Sequence, residues 1–292
     1  MARGQAPAQP ALKVALTFDD LPETDDMAPG QTRLGIASAI IKALKADHAP
    51  VIYGFLNAQY LVDEPGRTDV LQAWRDAGFL MGNHTYSHKD FNVTPLAVYE
   101  HDITLNEPVL KRFMAGEDWH WFRFPYLYEG PTLAKRNALR AWFKTQGYKV
   151  AEVSLDFQDY DFDDPYARCS TRHDAKSVSK VEEMYLANAK EQIRMGRQRA
   201  HQVYGRDISY VMLLHLGAIE SVMLPKLLDL LHAEGFELVT LPEAESDPAY
   251  AMDPAIGLKG GGTLQEQMMA AKHLDDGPFR DTPARELERM CR

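Results

Sequence analysis

The sequence predicts an α/β protein in which a parallel sheet is wrapped by helices. Short apolar runs alternate with longer segments whose apolar residues recur three or four positions apart. This alternation is typical of parallel strands that are joined by helical crossovers. The chain has 292 residues, which allows one large domain or two small ones, and α/β barrels of this size are commonly one domain. Its hydrophobic fraction of 45% supports a sizeable core.

Each element is assigned from the period of its apolar residues. We predict strands at the short apolar runs, which are 12–18, 51–56, 79–82, 121–124, 149–153, 208–214 and 237–241. We predict helices where apolar residues share one helical face, at 34–44, 69–77, 96–113, 133–145, 177–204, 222–233 and 264–273. The helix at 177–204 carries Tyr185, Ala189 and Ile193 at helical spacing, so we expect it to cover the sheet rather than to bind a partner. The glycines at 260–262 predict a turn or hinge.

Charge and hydropathy exclude two classes of partner. The 32 basic and 42 acidic residues give a net charge of −10, which argues against a nucleic-acid surface or an anionic-membrane surface. No apolar run is long enough to span a bilayer. The sequence does not indicate an oligomeric state.

The two ends of the chain and its cysteines bear on its location. Residues 1–10 are rich in Ala, Pro and Gln, which resembles the start of a mature exported protein. We therefore expect an exported protein, in the periplasm or at the cell surface. In such a protein Cys169 and Cys291 could form a disulfide, whereas in the cytosol they would be ordinary thiols; the sequence leaves both open.

Acidic residues and histidines follow two of the predicted strands. Asp19 and Asp20 end the first strand, and His84 and His88 come directly after the third. Strand ends in α/β folds meet at one rim, where such enzymes keep their chemistry. Two histidines and one aspartate can hold a divalent metal and leave room for water and substrate, while the second aspartate is free to act as a base. Taken alone, the Asp pair could also be a helix cap or a turn, and the His pair could be chance.

Two further segments deliver polar side chains at strand ends. Arg123 lies in the fourth strand and could bind a carboxylate bidentately, the alternative being a surface salt bridge. His215 ends the apolar run 211–214 and could act as a general acid, the alternative being a buried histidine bonded to backbone.

The order of these segments resembles that of the NodB-type polysaccharide deacetylases, carbohydrate esterase family four. The five segments that resemble the family's motifs are 17–20, 84–88, 123–126, 156–160 and 211–215. The resemblance runs from about residue 12 to about residue 241. It implies a distorted (β/α) barrel with a helical insertion before the last motif. It divides the chain into an N-terminal segment at 1–11 that is disordered or processed, a catalytic domain at 12–245 with an insertion at about 160–206, and a C-terminal extension at 246–292 that packs on the same domain.

The first two motifs imply the metal site and the base. By resemblance, Asp19 is the general base, and Asp20, His84 and His88 bind one divalent metal ion. Zinc is the first choice for such a set, which also accepts cobalt, nickel or manganese.

The last three motifs imply the remaining catalytic groups and the groove. Arg123 would orient the base, and His215 would be the general acid. Asp156 is a candidate partner for either of these two residues, while Asp159 is the weaker candidate because it begins an acidic stretch that reads as solvated loop.

The groove walls are implied by aromatic residues beside the same motifs. Pro125 and Tyr126 would form one wall, with the Tyr126 backbone N–H directed at the oxyanion, and Tyr160 would form the other. The chain departs from the family at two points: Leu21 and Pro22 follow the first motif in place of Gly, and Tyr160 replaces a Trp.

The function implied is metal-dependent hydrolysis of N-acetyl groups, or of O-acetyl groups, on a carbohydrate polymer or oligomer. In that mechanism an activated water attacks, an aspartate acts as base and a histidine as acid. Two alternatives stay open: hydrolysis of a small non-sugar amide, and a catalytically silent relative that binds carbohydrate. The intact set of Asp19, His215 and the metal-binding residues argues against the silent alternative.

Overall fold

The computed structural model describes residues 12–22, 26–63, 66–275 and 283–292. The N-terminal segment predicted at 1–11 lies outside these residues. Seven strands are present in the described chain: β1 Leu12–Leu21, β2 Tyr53–Leu56, β3 Leu80–Asn83, β4 Trp121–Phe122, β5 Lys149–Val150, β6 Ser209–His215 and β7 Phe236–Leu238. The helices there are α1 Arg33–Ala46, α2 Tyr60–Asp63, α3 Arg67–Asp76, α4 Leu96–Phe113, α5 Leu133–Gln146, α6 Asp163–Thr171, α7 Ala175–Tyr204, α8 Glu220–Ala233, α9 Leu241–Ala244, α10 Leu264–Ala271 and α11 Ala284–Leu287.

The strands form one parallel sheet in the order β5-β4-β3-β2-β1-β6, and β7 pairs with the first residues of β1. The segment that follows β5 runs alongside β6: Leu155 of this segment forms a parallel bridge with Met212 of β6. The Leu213 N–H donates to the Leu155 carbonyl at 3.0 Å, which extends this contact. The two edges of the sheet are thereby joined. The fold is the distorted (β/α) barrel that the sequence predicts.

The core explains why β1 reads as an unbroken apolar run. Helices cover one face of the sheet and the barrel interior covers the other, so successive residues of β1 are buried on both faces. Val14, Ala15, Leu16 and Phe18 are all 2% exposed or less. The charged end of the same strand can therefore project only at the rim, next to the ends of its neighbours. No helix in the described ranges is long and apolar enough to cross a membrane.

The observed helices and strands match the predicted ones closely, with two informative differences. Helix α4 has the predicted bounds, whereas β4 and β5 are only two residues long because the chain leaves the sheet to form the rim. The acidic start of the insertion, for which no helix is predicted, forms α6. Asp163 and Asp164 occupy its first turn, where negative charge is favoured by the helix dipole, and Ala167 and Cys169 are buried.

The insertion and the C-terminal extension both pack on the barrel. In α7 the buried positions include Tyr185, Ala189 and Ile193, the apolar face expected from the sequence. The extension is held to the barrel by the Leu264 N–H, which donates to the Val153 carbonyl at 2.7 Å.

A disulfide joins the insertion to the end of the chain. Cys169 in α6 and Cys291 are bonded with their Cα atoms 5.2 Å apart and 122 positions apart in sequence. A cross-link over so long a loop reduces the entropy of the unfolded chain.

We expect Cys291→Ser to lower the free energy of unfolding by about 2–4 kcal/mol, because the unfolded chain regains that entropy. Denaturant unfolding without reductant measures the change. Wild-type protein treated with reductant should show the same loss, and equal stability of oxidised wild type and variant would disprove the role of the disulfide.

Candidate active site

The predicted catalytic residues meet at the rim formed by the C-terminal ends of the parallel strands. Asp19 lies opposite His215 in the β1–β6 register, and His84 and Arg123 come directly after β3 and β4. Asp19, His84 and His215 line a cavity of about 580 Å³, and Arg123 is buried in contact with Asp19. Its lining residues are Asp19, Asp20, His84, His88, Tyr126, Leu127, Tyr128, Asp156, Gln158, Tyr160, Gln192, Leu213, His215, Gly260, Gly261, Gly262 and Glu266.

Asp20, His84 and His88 form a cluster with the composition of a metal site. Asp20 Oδ1 lies 3.3 Å from Nε2 of His84 and 3.3 Å from Nε2 of His88. One side-chain ligand atom from each residue falls within a mutual distance of 4.8 Å. Asp20 and His88 have left-handed backbone φ values of 59° and 50°, a strained conformation that is concentrated at functional sites.

The protonation states of the cluster fit a divalent cation. Asp20 Oδ1 is buried, and none of the residues that the structure describes donates a hydrogen bond to it. His84 Nδ1 lies 2.8 Å from the Arg123 carbonyl, which can only accept, so this contact fits the tautomer that carries its proton on Nδ1 and would leave Nε2 to bind a metal. Burial lowers the pKa of His88 to about 4, so this imidazole is neutral at pH 7. Burial opposes ionisation of Asp20, but the imidazoles of His88 and His84 hold its pKa below the usual range. One carboxylate and two imidazoles are a donor set that suits a divalent metal.

Asp19 is held by Arg123 beside this cluster. Arg123 Nη1 lies 3.1 Å and 3.3 Å from the two Asp19 carboxylate oxygens. Nη2 donates to Thr17 Oγ1 at 3.1 Å, and Nε donates to the Ala151 carbonyl at 2.7 Å. The guanidinium also lies over the Phe55 ring at 4.6 Å. Arg123 is 1% exposed, so the surface salt bridge considered for it is wrong; its contacts hold the Asp19 carboxylate in one orientation.

His215 is paired with Asp159 on the other side of the cluster. His215 Nδ1 lies 2.8 Å from Asp159 Oδ1, and the His215 backbone N–H donates to Asp159 Oδ2 at 2.7 Å. His215 Nε2 faces the cluster, 3.8 Å from Asp20 Oδ2. Burial opposes protonation, but the Asp159 carboxylate outweighs it and raises the pKa of His215 well above its ordinary value. His215 can therefore carry a proton that Nε2 delivers toward the cluster.

The structure corrects the sequence-based choice between Asp156 and Asp159. Asp156 bonds neither Arg123 nor His215; its carboxylate accepts from the Gln158 N–H at 2.7 Å. Gln158 adopts a left-handed conformation, with φ 55° and ψ 52°, which directs Asp159 rather than Asp156 at His215. Asp159 is 2% exposed, so the solvated-loop interpretation of it is wrong.

The predicted groove aromatics lie at the cavity mouth. Tyr126 is 54% exposed, and its ring centroid lies 4.5 Å from that of His88. Pro125 is buried behind it. Tyr160 meets the His215 ring edge-on, with centroids 5.3 Å apart and planes at 84°. The two tyrosines therefore lie on either side of the Asp20, His84 and His88 cluster and His215.

The C-terminal extension supplies part of the cavity wall, which the sequence did not reveal. Gly260, Gly261 and Gly262 line the cavity. A Cβ on Gly261 would lie 2.5 Å from the Tyr128 ring and 2.9 Å from the carbonyl oxygens of Tyr126 and Leu127, so this close approach requires glycine. The triple glycine indicates a turn in the sequence, but its place at the site depends on packing between distant segments.

Replacement of Asp159 by asparagine tests the His215 pair. Without the carboxylate the pKa of His215 should fall, because the negative charge that favours its protonated form is gone. The protonated acid is then lost at a lower pH, so the alkaline limb of kcat/KM should move to lower pH. An unshifted limb in a variant whose thermal unfolding matches wild type would contradict the assignment.

Comparisons with known proteins point to one family. The chain matches the family described as polysaccharide deacetylase over residues 7–150. The solved chitin deacetylase of the fungus Colletotrichum lindemuthianum is 22% identical with a TM-score of 0.54, and the match covers 81% of this chain and 88% of that one. A CE4-family pseudoenzyme from Bacillus anthracis is 14% identical with a TM-score of 0.55, covering 80% of this chain and 65% of that one. The Bc1960 peptidoglycan N-acetylglucosamine deacetylase is 20% identical with a TM-score of 0.50, covering 80% and 87%. Among curated proteins none matches.

These matches differ in what they cover. The family match contains the segments of Asp19, the histidine pair and Arg123, and it ends before Asp159 and His215. At these identities the solved structures show a shared fold, which extends over most of this chain. Residues 7–150, which are 144 of the 292 residues, are similar to the polysaccharide deacetylase family, and the solved structures show that the fold is shared.

Proposed function

We propose that this protein removes N-acetyl groups from a carbohydrate in a reaction that depends on a divalent metal. One observation carries the proposal: Asp19, which is held by Arg123, and His215, which is held by Asp159, line one cavity together with the cluster of Asp20, His84 and His88. A base, an acid and a metal-type donor set are the parts that amide hydrolysis requires.

The residues divide the chemistry as follows. A divalent ion held by Asp20, His84 and His88 would polarise the acetyl carbonyl and lower the pKa of water. Asp19 takes the proton of the attacking water, and Arg123 keeps its carboxylate turned toward the cluster. The Tyr126 backbone N–H, at the cavity mouth, is proposed as the donor to the oxyanion.

The proposed role of His215 as general acid suits an amide substrate better than an ester. An amine leaves poorly unless it is protonated, and His215 is held in its protonated form by Asp159. His215 Nε2 faces the cluster and can deliver this proton to the departing nitrogen. Zinc is the first choice of metal, and cobalt, nickel or manganese suit the same donor set.

We also propose that the protein is exported, to the periplasm or the cell surface. The Cys169–Cys291 disulfide supports export, because disulfides persist in oxidising compartments. Thiol titration of denatured protein purified without reductant should find no free thiols, and two free thiols would remove this support.

Acetate release tests the function. Protein that has been stripped of metal and reloaded with zinc should release acetate from N-acetylated chitin oligomers or from peptidoglycan, and more slowly from acetylxylan. The chitin and peptidoglycan probes follow from the names of two structural neighbours. Because another neighbour is a pseudoenzyme, a negative result is informative. No acetate from any of the three, with any of the four metals, would reject the proposal in favour of a silent relative or a small-amide hydrolase.

A further inference from the structure

Two polar side chains in the cavity have no part in the chemistry described so far. Gln192 projects from α7 into the cavity, and within the described chain its side-chain amide has no hydrogen-bond partner. The Asp156 carboxylate also lines the cavity, and its one hydrogen bond, from the Gln158 N–H at 2.7 Å, leaves acceptor positions free.

The face of α7 that carries Gln192 crosses the segment that carries Asp156. Residues 188, 192 and 196 are four apart and share one side of the helix. Asn188 Nδ2 donates to the Phe157 carbonyl at 2.6 Å. One turn beyond Gln192, a Cβ on Gly196 would lie 2.3 Å from Leu155 Cδ2 and 3.5 Å from the Ser154 carbonyl oxygen, so the helix lies close against this segment. Gln192 lies between these two contacts, which places it beside Asp156.

The neighbourhood of this pair is suited to a sugar. An amide supplies both donors and an acceptor, and a carboxylate supplies acceptors, so together they match the hydroxyl groups of a sugar ring. The exposed rings of Tyr126 and Tyr160 stand at the same cavity, and aromatic faces pack against the apolar faces of sugars. In ligand pockets with aromatic walls, a small number of polar groups usually fixes the orientation of the ligand.

We propose that Gln192 and Asp156 form a hydrogen-bonding subsite for the hydroxyl groups of the carbohydrate substrate, and that this subsite sets affinity rather than turnover. The inference rests on the proposed function, since it takes the substrate to be a carbohydrate. Gln192 lies on the insertion and outside the part of the chain that matches the family, so it can distinguish this protein's substrate from those of other members.

Substitution of Gln192 tests the subsite. Gln192→Met keeps side-chain length and helix propensity but removes both hydrogen-bonding groups. For a chitin tetramer, we expect KM to rise by about threefold to tenfold, the usual effect of one lost hydrogen bond, with kcat changed by less than about twofold. Burial raises the pKa of Asp156 to about 7; at a pH above this value Asp156→Asn should also raise KM, because the amide is a weaker acceptor than the carboxylate.

The control is Gln198→Met, the same change at an exposed position of α7, which should leave both constants at their wild-type values. An unchanged KM in Gln192→Met overturns the subsite, as does a loss confined to kcat. If Gln192→Met is poorly folded, Gln192→Leu, which also removes both hydrogen-bonding groups and favours a helix, should raise KM in the same way. Failure of the wild type to release acetate from any acetylated sugar is a different result: it removes the proposed function, and the inference with it.

Discussion

His84→Ala and His88→Ala should each lose bound metal and nearly all acetate release. Loss of groups that merely orient a metal ligand commonly costs 10- to 100-fold in affinity or activity, so loss of a ligand should exceed about a hundredfold. Nε2 of each imidazole lies 3.3 Å from the same Asp20 oxygen. The cluster has three residues, so the loss of one histidine leaves only two protein ligands. Metal content after dialysis and the rate of acetate release are measured together.

His101→Ala is the matched control, because His101 lies exposed on α4. It should keep both metal and activity. Stoichiometric metal in the His84→Ala and His88→Ala variants would show that these residues are not the ligands.

Asp19→Asn and His215→Ala should keep the metal and lose turnover. General acid and base groups each contribute roughly 10²–10⁴-fold, so losses of that order are expected. In Asp19→Asn the side-chain amide oxygen could still accept a hydrogen bond from Arg123, but it cannot take a proton from water. His215→Ala should also abolish the alkaline limb of the pH profile, since that limb reports the loss of the proton on His215.

The leaving group separates the acid from the base. His215→Ala should impair the release of amines more than the release of an activated phenolate, which departs without a proton. Asp19→Asn should impair both, because both reactions need the attacking water. Equal losses on amide and phenolate ester in His215→Ala would mean that His215 does not act as the acid.

Most of the rim could be predicted because parallel strands obey a simple rule. Asp19, His84 and His215 end or follow apolar runs, and the ends of parallel strands converge, so their proximity follows from the order of the elements. The long amphipathic helix α7 was predictable for a similar reason, since its buried positions repeat at the helical period.

The wrong prediction concerned the partner of His215, where the local backbone conformation determines which aspartate makes the contact. The left-handed turn at Gln158 determines that Asp159 rather than Asp156 reaches His215, and glutamine gives no sign of such a turn. The sequence does contain one indication: aromatic residues, Phe157 and Phe162, lie on either side of Asp159, which is typical of a packed segment and not of a solvated loop. Both are buried in the structure.

The contribution of the C-terminal extension was beyond sequence reasoning. Gly261 contacts the backbone of Tyr126 and Leu127, more than a hundred positions away in the chain. Gln192 faces the cavity only because α7 crosses the segment after β5. Neither contact leaves a periodic pattern in the sequence.

Titration of metal-free protein with zinc, while acetate release from a chitin oligomer is measured, tests whether the reaction depends on one bound metal ion. We expect no release without metal, and a rate that rises in proportion to zinc until one ion is bound per chain and then stays level. Acetate release by the metal-free protein at the same rate, or stoichiometric zinc binding with no release, would contradict it.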